Sequence, residues 1–186
     1  LEAAVTLKDQ YGGTVTVLSM GPPQAEAIIK EAYTLGADQG YLLSDRGFAG
    51  ADTLATSYTL AEAIRRLPKA DLIICGMQTT DGDTAQVGPG IAELLELPHV
   101  SYVSQILGVA EGTVRVEADM GDGIEELKIA LPCPLTVTKA VNQPRLPSYR
   151  LKKATRDREI TIWSSQDLQG ANPAYFGLSG SPTQVE

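Results

Sequence analysis

Apolar residues recur at helical spacing through the opening segment, LEAAVTLKDQYGG, and stop at a Gly-Gly pair. Thr14–Ser19 alternates valine and threonine and predicts a strand. Gly21-Pro22-Pro23 then opens a helix from Gln24 to about Leu35, closed by Gly36. Tyr41–Ser44 is the next strand. Asp52 stands as N-cap of a helix from Thr53 to about Arg66, whose apolar residues are Leu54, Tyr58, Leu60, Ala61 and Ile64. Asp71–Cys75 is a third strand, followed by a glycine-bearing loop and a helix that begins near Gly88–Pro89 and ends before Pro98. His99–Leu107 is a fourth strand, with His99 expected to pack. This β-α-β-α-β-α-β order predicts a parallel sheet joined by right-handed crossovers. The period then changes. Thr113–Asp119 and Ile124–Ala130 alternate around Met120-Gly121-Asp122-Gly123, a hairpin signal, and Pro134–Lys139 is a further strand. Beyond Val141 the pattern fades into an extended arm, with Pro144 and Pro147 opposing a helix.

These elements define an α/β class: a Rossmann-like parallel sheet with flanking helices, an antiparallel hairpin and an extended C-terminal arm. Residues 1–141, including the hairpin at 113–130, form the expected α/β domain. Residues 142–186 form the arm and a last segment, GLSGSPTQVE, that ends in turn-rich sequence. No N-cap precedes the first helix, so the chain reads as the middle of a longer protein.

The segment DLIICGMQTTDGDTAQVGPGIAELLELP, residues 71–98, carries the chemistry. A strand, a glycine-rich loop and a helix start together offer backbone amides without internal partners, at the positive end of a helix dipole. Pro89 has no N–H to donate and is tolerated only in a first turn. The amides from Asp81 to Val87 are therefore expected to face a phosphate. A P-loop is excluded because no Lys-Ser/Thr pair ends the loop, and no glycine-spaced dinucleotide fingerprint is present. An ordinary strand-to-helix connection remains the alternative.

Composition narrows the choice. A net charge of −8 argues against nucleic acid as the partner of the whole chain. No apolar run approaches the roughly 20 residues of a membrane span, and no signal peptide is visible. The single histidine leaves no triad or histidine-based metal cluster. Cys75 and Cys133 read as small core residues in a reducing compartment, which points to the cytoplasm. Six Lys/Arg residues (Arg145, Arg150, Lys152, Lys153, Arg156, Arg158) meet one acid, Asp157, between positions 145 and 158. That run is either a solvated arm or a docking surface.

Five ordered stretches then carry a family resemblance: TVTVLSMGPPQAEAIIKEAYTLGAD, GADTLATSYTLAEAI, CGMQTTDGDTAQVGPGIAELLELP, LPCPLTVTKAVNQPR and GLSGSPTQV. The chain resembles the β subunit of electron transfer flavoproteins, and DGDTAQVGP resembles the loop of the flavin-bifurcating members. The resemblance implies a cleft at the strand ends that holds FAD, or AMP in simpler members. It implies Gly76, Gln78, Asp81, Gly82, Asp83, Thr84, Ala85, Gln86 and Val87 as the phosphate and nucleotide loop, and Ser19, Met20 and Gly21 as the adenine side. Gly76 and Gly82 would admit the pyrophosphate, while Thr84 and Gln86 would offer hydroxyl and amide groups. Asp81 and Asp83 would hold the loop's shape by accepting from loop amides, with Asp83 as a direct ribose ligand the alternative. The family's initial strand and C-terminal tail have no counterpart in this sequence. The resemblance further implies an α-subunit partner, and a flavin dehydrogenase such as an acyl-CoA dehydrogenase docked by the arm through Arg145, Tyr149 and Arg150. Tyr149 stands where the family usually has leucine. It implies electrons arriving from NADH or a dehydrogenase, with the redox chemistry belonging to the flavin and no catalytic side chain. A universal-stress-type ATP-binding module and a docking domain with an empty cleft are the competing readings.

Overall fold

The structure, a computed structural model, describes residues 1–80 and 82–183. It divides into two units, residues 1–49 with 143–171 and residues 50–142 with 172–186.

In the first unit, α1 (Glu2–Tyr11), β1 (Thr16–Met20), α2 (Glu26–Leu35) and β2 (Gln39–Leu43) follow the expected order, and a 3-10 turn at Pro23–Ala25 leads into α2. Gly36, at φ 118°, ends α2 in the left-handed conformation that a Cβ disfavours, and Ala37 N–H donates back to Ala32 O. The helix lies so close on the strand that a Cβ on Gly40 would meet Ile29 at 2.2 Å. Val5, Val15, Ile29, Ala32, Tyr33, Ala37 and Leu42 form the core. The chain returns here as α5 (Tyr149–Ala154) and β8 (Thr161–Trp163), and β8 completes a parallel sheet in the order β1-β2-β8. The segment expected to be extended thus holds a helix. The prolines keep the chain open as far as Pro147, after which the Ser148 hydroxyl accepts from Leu151 N–H and starts α5.

The second unit contains α3 (Thr53–Arg66), β3 (Leu72–Gly76), α4 (Val87–Leu94), β4 (Val100–Ala110), β5 (Thr113–Asp119), β6 (Ile124–Ala130) and β7 (Cys133–Val137). Both strands of the β5–β6 hairpin have the expected limits. The sheet order is β3-β7-β4-β5-β6, parallel across β3, β7 and β4 and antiparallel beyond. The predicted four-strand parallel run is therefore divided between two sheets, and β7 rather than β4 neighbours β3. After the hairpin the chain returns to insert β7 between them, pairing Gly76 and Val103 with the same residue, Val137. Val100, Val103, Val114, Val116, Ala118, Cys133 and Leu135 are its core.

Small residues set the helix packing in this unit. The buried positions of α3 are Ala55, Ser57, Thr59, Ala61 and Ala63, whereas Leu54 is 53% exposed. That differs from the face expected from its larger apolar residues. The reason is close approach: a Cβ on Gly90 of α4 would lie 2.6 Å from Ser57 Oγ, and one on Gly88 would lie 2.2 Å from Thr136 Cγ2 of β7. Residues 172–183 also pack onto α3, with Tyr175 and Phe176 ring centroids 5.2 and 5.6 Å from that of Tyr58. His99 is exposed and precedes β4, so it does not pack as expected.

Candidate functional site

Met77 N–H donates to Val137 O at 3.0 Å, the last rung between β3 and β7 before the chain leaves the sheet. The loop that follows is shaped by side chains and by two unusual backbone positions. The Gln78 carboxamide donates to the Asp83 carboxylate, and Gly82 N–H reaches the Thr79 hydroxyl at 3.4 Å. Asp83 and Ala85 hold φ of 50° and 55°, a conformation that costs a non-glycine residue of order 1 kcal/mol or more. The Asp83 carboxylate thus accepts from a side-chain amide rather than from the loop amides expected for it. Asp81 lies outside the described residues.

Gln86 precedes α4 and makes no side-chain cap to it. Its carboxamide oxygen instead accepts from the Thr53 hydroxyl at 2.9 Å. Among the described residues, the backbone amides of Asp83, Thr84, Ala85, Gln86, Val87 and Gly88 donate to no protein acceptor. They lie at or just before the positive end of α4, and residues 76 to 90 contain no cation. A Cβ on Gly76 would meet nothing within 4 Å, and one on Gly82 only Thr79 Oγ1 at 3.6 Å, so open space adjoins both. N–H groups without a protein acceptor at a helix start, with the Thr84 hydroxyl beside them, are a donor set suited to phosphate oxygens.

Ser19 and Met20 end β1 in the other unit, half-buried, and Gly21 N–H donates to Leu43 O at 3.0 Å. These three residues and the 76–87 loop each stand at the carboxyl end of a parallel strand in their own unit.

Two of the arm's six cations, Arg145 and Arg158, are engaged within their own unit. Arg145 lies 2.9 Å from both the Glu2 and the Asp9 carboxylates. Its hydrogen bonds hold the Glu2 carboxyl below the usual carboxylate range. Arg158 donates to the carbonyls of Ala37 and Asp38 at 2.9 and 3.2 Å and stands 5.1 Å from the Tyr33 ring centroid. A cavity of about 300 Å³ beneath the arm is lined by Arg145, Arg158, Asp9 and Lys8, which pairs with Asp38 at 2.6 Å. Tyr149 and Arg150 are exposed, Tyr149 at 82%, and Leu146 reaches 89%.

Three residues escaped the sequence reading. Thr53 could have been found as the first residue after an N-cap aspartate. Leu146 stands out as one apolar side chain in the polar, proline-bounded run PRLP. Tyr102, with φ 57° and 43% exposure at a β4 bulge, has its N–H on the Thr136 hydroxyl at 3.1 Å, and alternation gave no sign of it.

Other chemistry finds little support. Burial pushes the Cys133 thiol up to about 11 and raises that of Cys75, so both stay protonated near neutrality. Among the described residues no cluster of histidine, cysteine and carboxylate groups could hold a metal, and no helix is long and apolar enough to cross a membrane.

A family model for the electron transfer flavoprotein domain matches residues 1–168. Over 186 residues the chain is 47% identical to the caffeyl-CoA reductase-Etf complex subunit CarD of Acetobacterium woodii, covering all of this chain and 70% of that one. It is 46% identical to the electron transfer flavoprotein subunit beta of Clostridium acetobutylicum, covering all of this chain and 71% of the relative. Protein FixA of Azorhizobium caulinodans is 45% identical over 192 residues, with 68% of its length covered.

Proposed function

We propose that this chain, which belongs to the electron transfer flavoprotein family as a β-type subunit, holds the pyrophosphate of FAD on the loop between β3 and α4. The observation that carries this reading is the run of backbone amides from Asp83 to Gly88, which meet no protein acceptor at the start of α4. Donors of this kind suit an anion bound by backbone and dipole rather than by lysine or arginine. Thr84 and Gln86 add side-chain donors, and Gln78 keeps the Asp83 carboxylate engaged within the loop. The family membership supports Ser19, Met20 and Gly21, at the carboxyl end of β1, as nucleotide contacts on the adenine side. When bound, the isoalloxazine supplies the redox chemistry, and the chain's residues supply position and donors.

On this reading the subunit pairs with an α subunit in the cytoplasm. Electrons arrive from NADH or a dehydrogenase and pass to separate acceptors by flavin-based bifurcation. The DGDTAQVGP loop and the similarity to an Etf-complex subunit support that finer assignment. Leu146 and Tyr149, exposed beside Arg150, form the contact for a flavin dehydrogenase, while Arg145 secures the arm that carries them.

The test is the nucleotide content of the full-length protein purified with its α subunit. Two FAD per heterodimer are expected. One FAD with one AMP would reassign the protein as a single-flavin carrier, and an α-bound FAD with no second nucleotide would overturn the site.

A further inference from the structure

Gln86 ties together the starts of two helices. It immediately precedes α4, yet its side chain is oriented from α3, through the 2.9 Å hydrogen bond donated by Thr53. That bond turns Oε1 toward Thr53 and leaves the two Nε2 hydrogens on an exposed residue. They add to the backbone amides that already lack acceptors at this helix start.

The position of Thr53 is itself held from several sides. Asp52 Oδ1 accepts from Leu54 N–H at 2.9 Å and from Ala55 N–H at 3.0 Å, fixing the first turn of α3. Asp52 Oδ2 accepts from the Thr183 N–H and hydroxyl at 3.1 and 2.7 Å, and Asp52 N–H donates to Ser181 Oγ at 2.8 Å. One turn along α3, the Ser57 hydroxyl donates to Thr53 O at 2.6 Å and lies 3.3 Å from Val87 O. Gly90 permits that approach, since a Cβ there would stand 2.6 Å from Ser57 Oγ. The two helix starts are thus joined through short hydroxyl side chains, and Thr53 is the group that reaches the loop.

We infer that Thr53 is a positioning residue for the nucleotide: its hydroxyl sets the Gln86 carboxamide so that Nε2 donates to a phosphate or ribose oxygen. This deepens the reading given above and rests on it. The inward oxygen is occupied by Thr53 and the outward nitrogen is donor-only, so the side chain selects an acceptor-rich anionic ligand. A freely turning glutamine would present its oxygen part of the time and repel the same ligand.

The test uses the full-length protein with its α subunit, the α site filled with FAD, titrated with a second equivalent of FAD and followed by flavin fluorescence. Thr53→Val, nearly isosteric but without the hydroxyl, should weaken that second binding by about five- to tenfold, the range of one hydrogen bond. Thr53→Ser should bind like the wild type. In a Gln86→Ala background the valine substitution should have no further effect, because its route to the ligand is gone. Melting curves of the unliganded variants establish that each is folded. An equal loss from Thr53→Val with and without Gln86 would overturn the inference, as would unchanged binding by Thr53→Val when Gln86→Ala binds weakly. A wild-type protein that takes up no second nucleotide defeats the site reading itself, and the positioning role falls with it.

Discussion

Replacing Gly88 by alanine places one methyl group where the structure has no room. Its Cβ would lie 2.2 Å from Thr136 Cγ2, roughly 1.5 Å short of van der Waals contact. Thr136 cannot yield freely. It is 3% exposed, its strand is paired on both sides, and its hydroxyl accepts the Tyr102 N–H at 3.1 Å. Rotating it away would forfeit that bond, at about 1 kcal/mol. Moving α4 outward would instead strain the helix and shift the amides at its start. Overpacking of this kind costs about 1–3 kcal/mol, and the better helix propensity of alanine returns up to about 1 kcal/mol. Gly88→Ala should therefore lower the melting temperature by about 2–8 °C and weaken nucleotide binding. Thr136→Ser removes the offending methyl and keeps the hydroxyl. The alanine would then have Cβ atoms of residues 136 and 75 at 3.6 and 3.7 Å, ordinary contact distances. The double variant should melt close to Thr136→Ser alone. Calorimetry on the four proteins measures the coupling. An undiminished penalty in the serine background, or a Gly88→Ala protein at least as stable as the wild type, would refute the steric argument.

Asp52 gives a pH-dependent counterpart. Burial opposes its ionisation, but the hydrogen bonds from Ala55 and Thr183 outweigh that and hold its carboxyl below the usual range. A lowered folded-state value stabilises above the unfolded value of about 3.9 and is lost as pH falls through the folded one. Asp52→Asn keeps a capping oxygen, so its deficit in melting temperature should be present at pH 7 and shrink as pH falls below the unfolded value toward the lowered folded one; a deficit that stays constant as the carboxyl protonates would contradict the assignment. At the arm, Leu146→Ala with Tyr149→Ala should weaken dehydrogenase docking by about 30-fold or more, on the scale of an interface anchor, with flavin content unchanged. Equal electron-transfer kinetics at limiting partner concentration would remove these side chains from the interface. Arg145→Ala should instead lower thermal stability, through loss of the Glu2 and Asp9 pairs.

Local signals carried much of the fold. The Met120–Gly123 turn and its flanking alternation set the hairpin, and Asp52 marked the start of α3. Gly36 marked the end of α2. What failed was information residing between distant segments. Nothing along the chain indicates that β7 would enter between β3 and β4, because that order is decided by which edges are left to pair. Gly88 and Gly90 let α4 approach Thr136 and Ser57, contacts that no pattern around them announces. The pairing of Arg145 with Glu2 and Asp9, 143 and 136 residues away, leaves no local trace. The loop itself was legible as a strand, glycines and a proline-limited helix start. Its link to Thr53 was not, since a hydroxyl 33 positions away leaves no local trace.

The central claim is that amides 83 to 87 hold the phosphates of a flavin dinucleotide. Its most direct test is a crystal structure of the full-length, flavin-loaded protein with its α subunit. Pyrophosphate oxygens are expected about 3 Å from several of those nitrogens, with Gln86 Nε2 directed at the same ligand. A second flavin whose phosphates rest elsewhere, with these amides turned to water or to the chain itself, would contradict it.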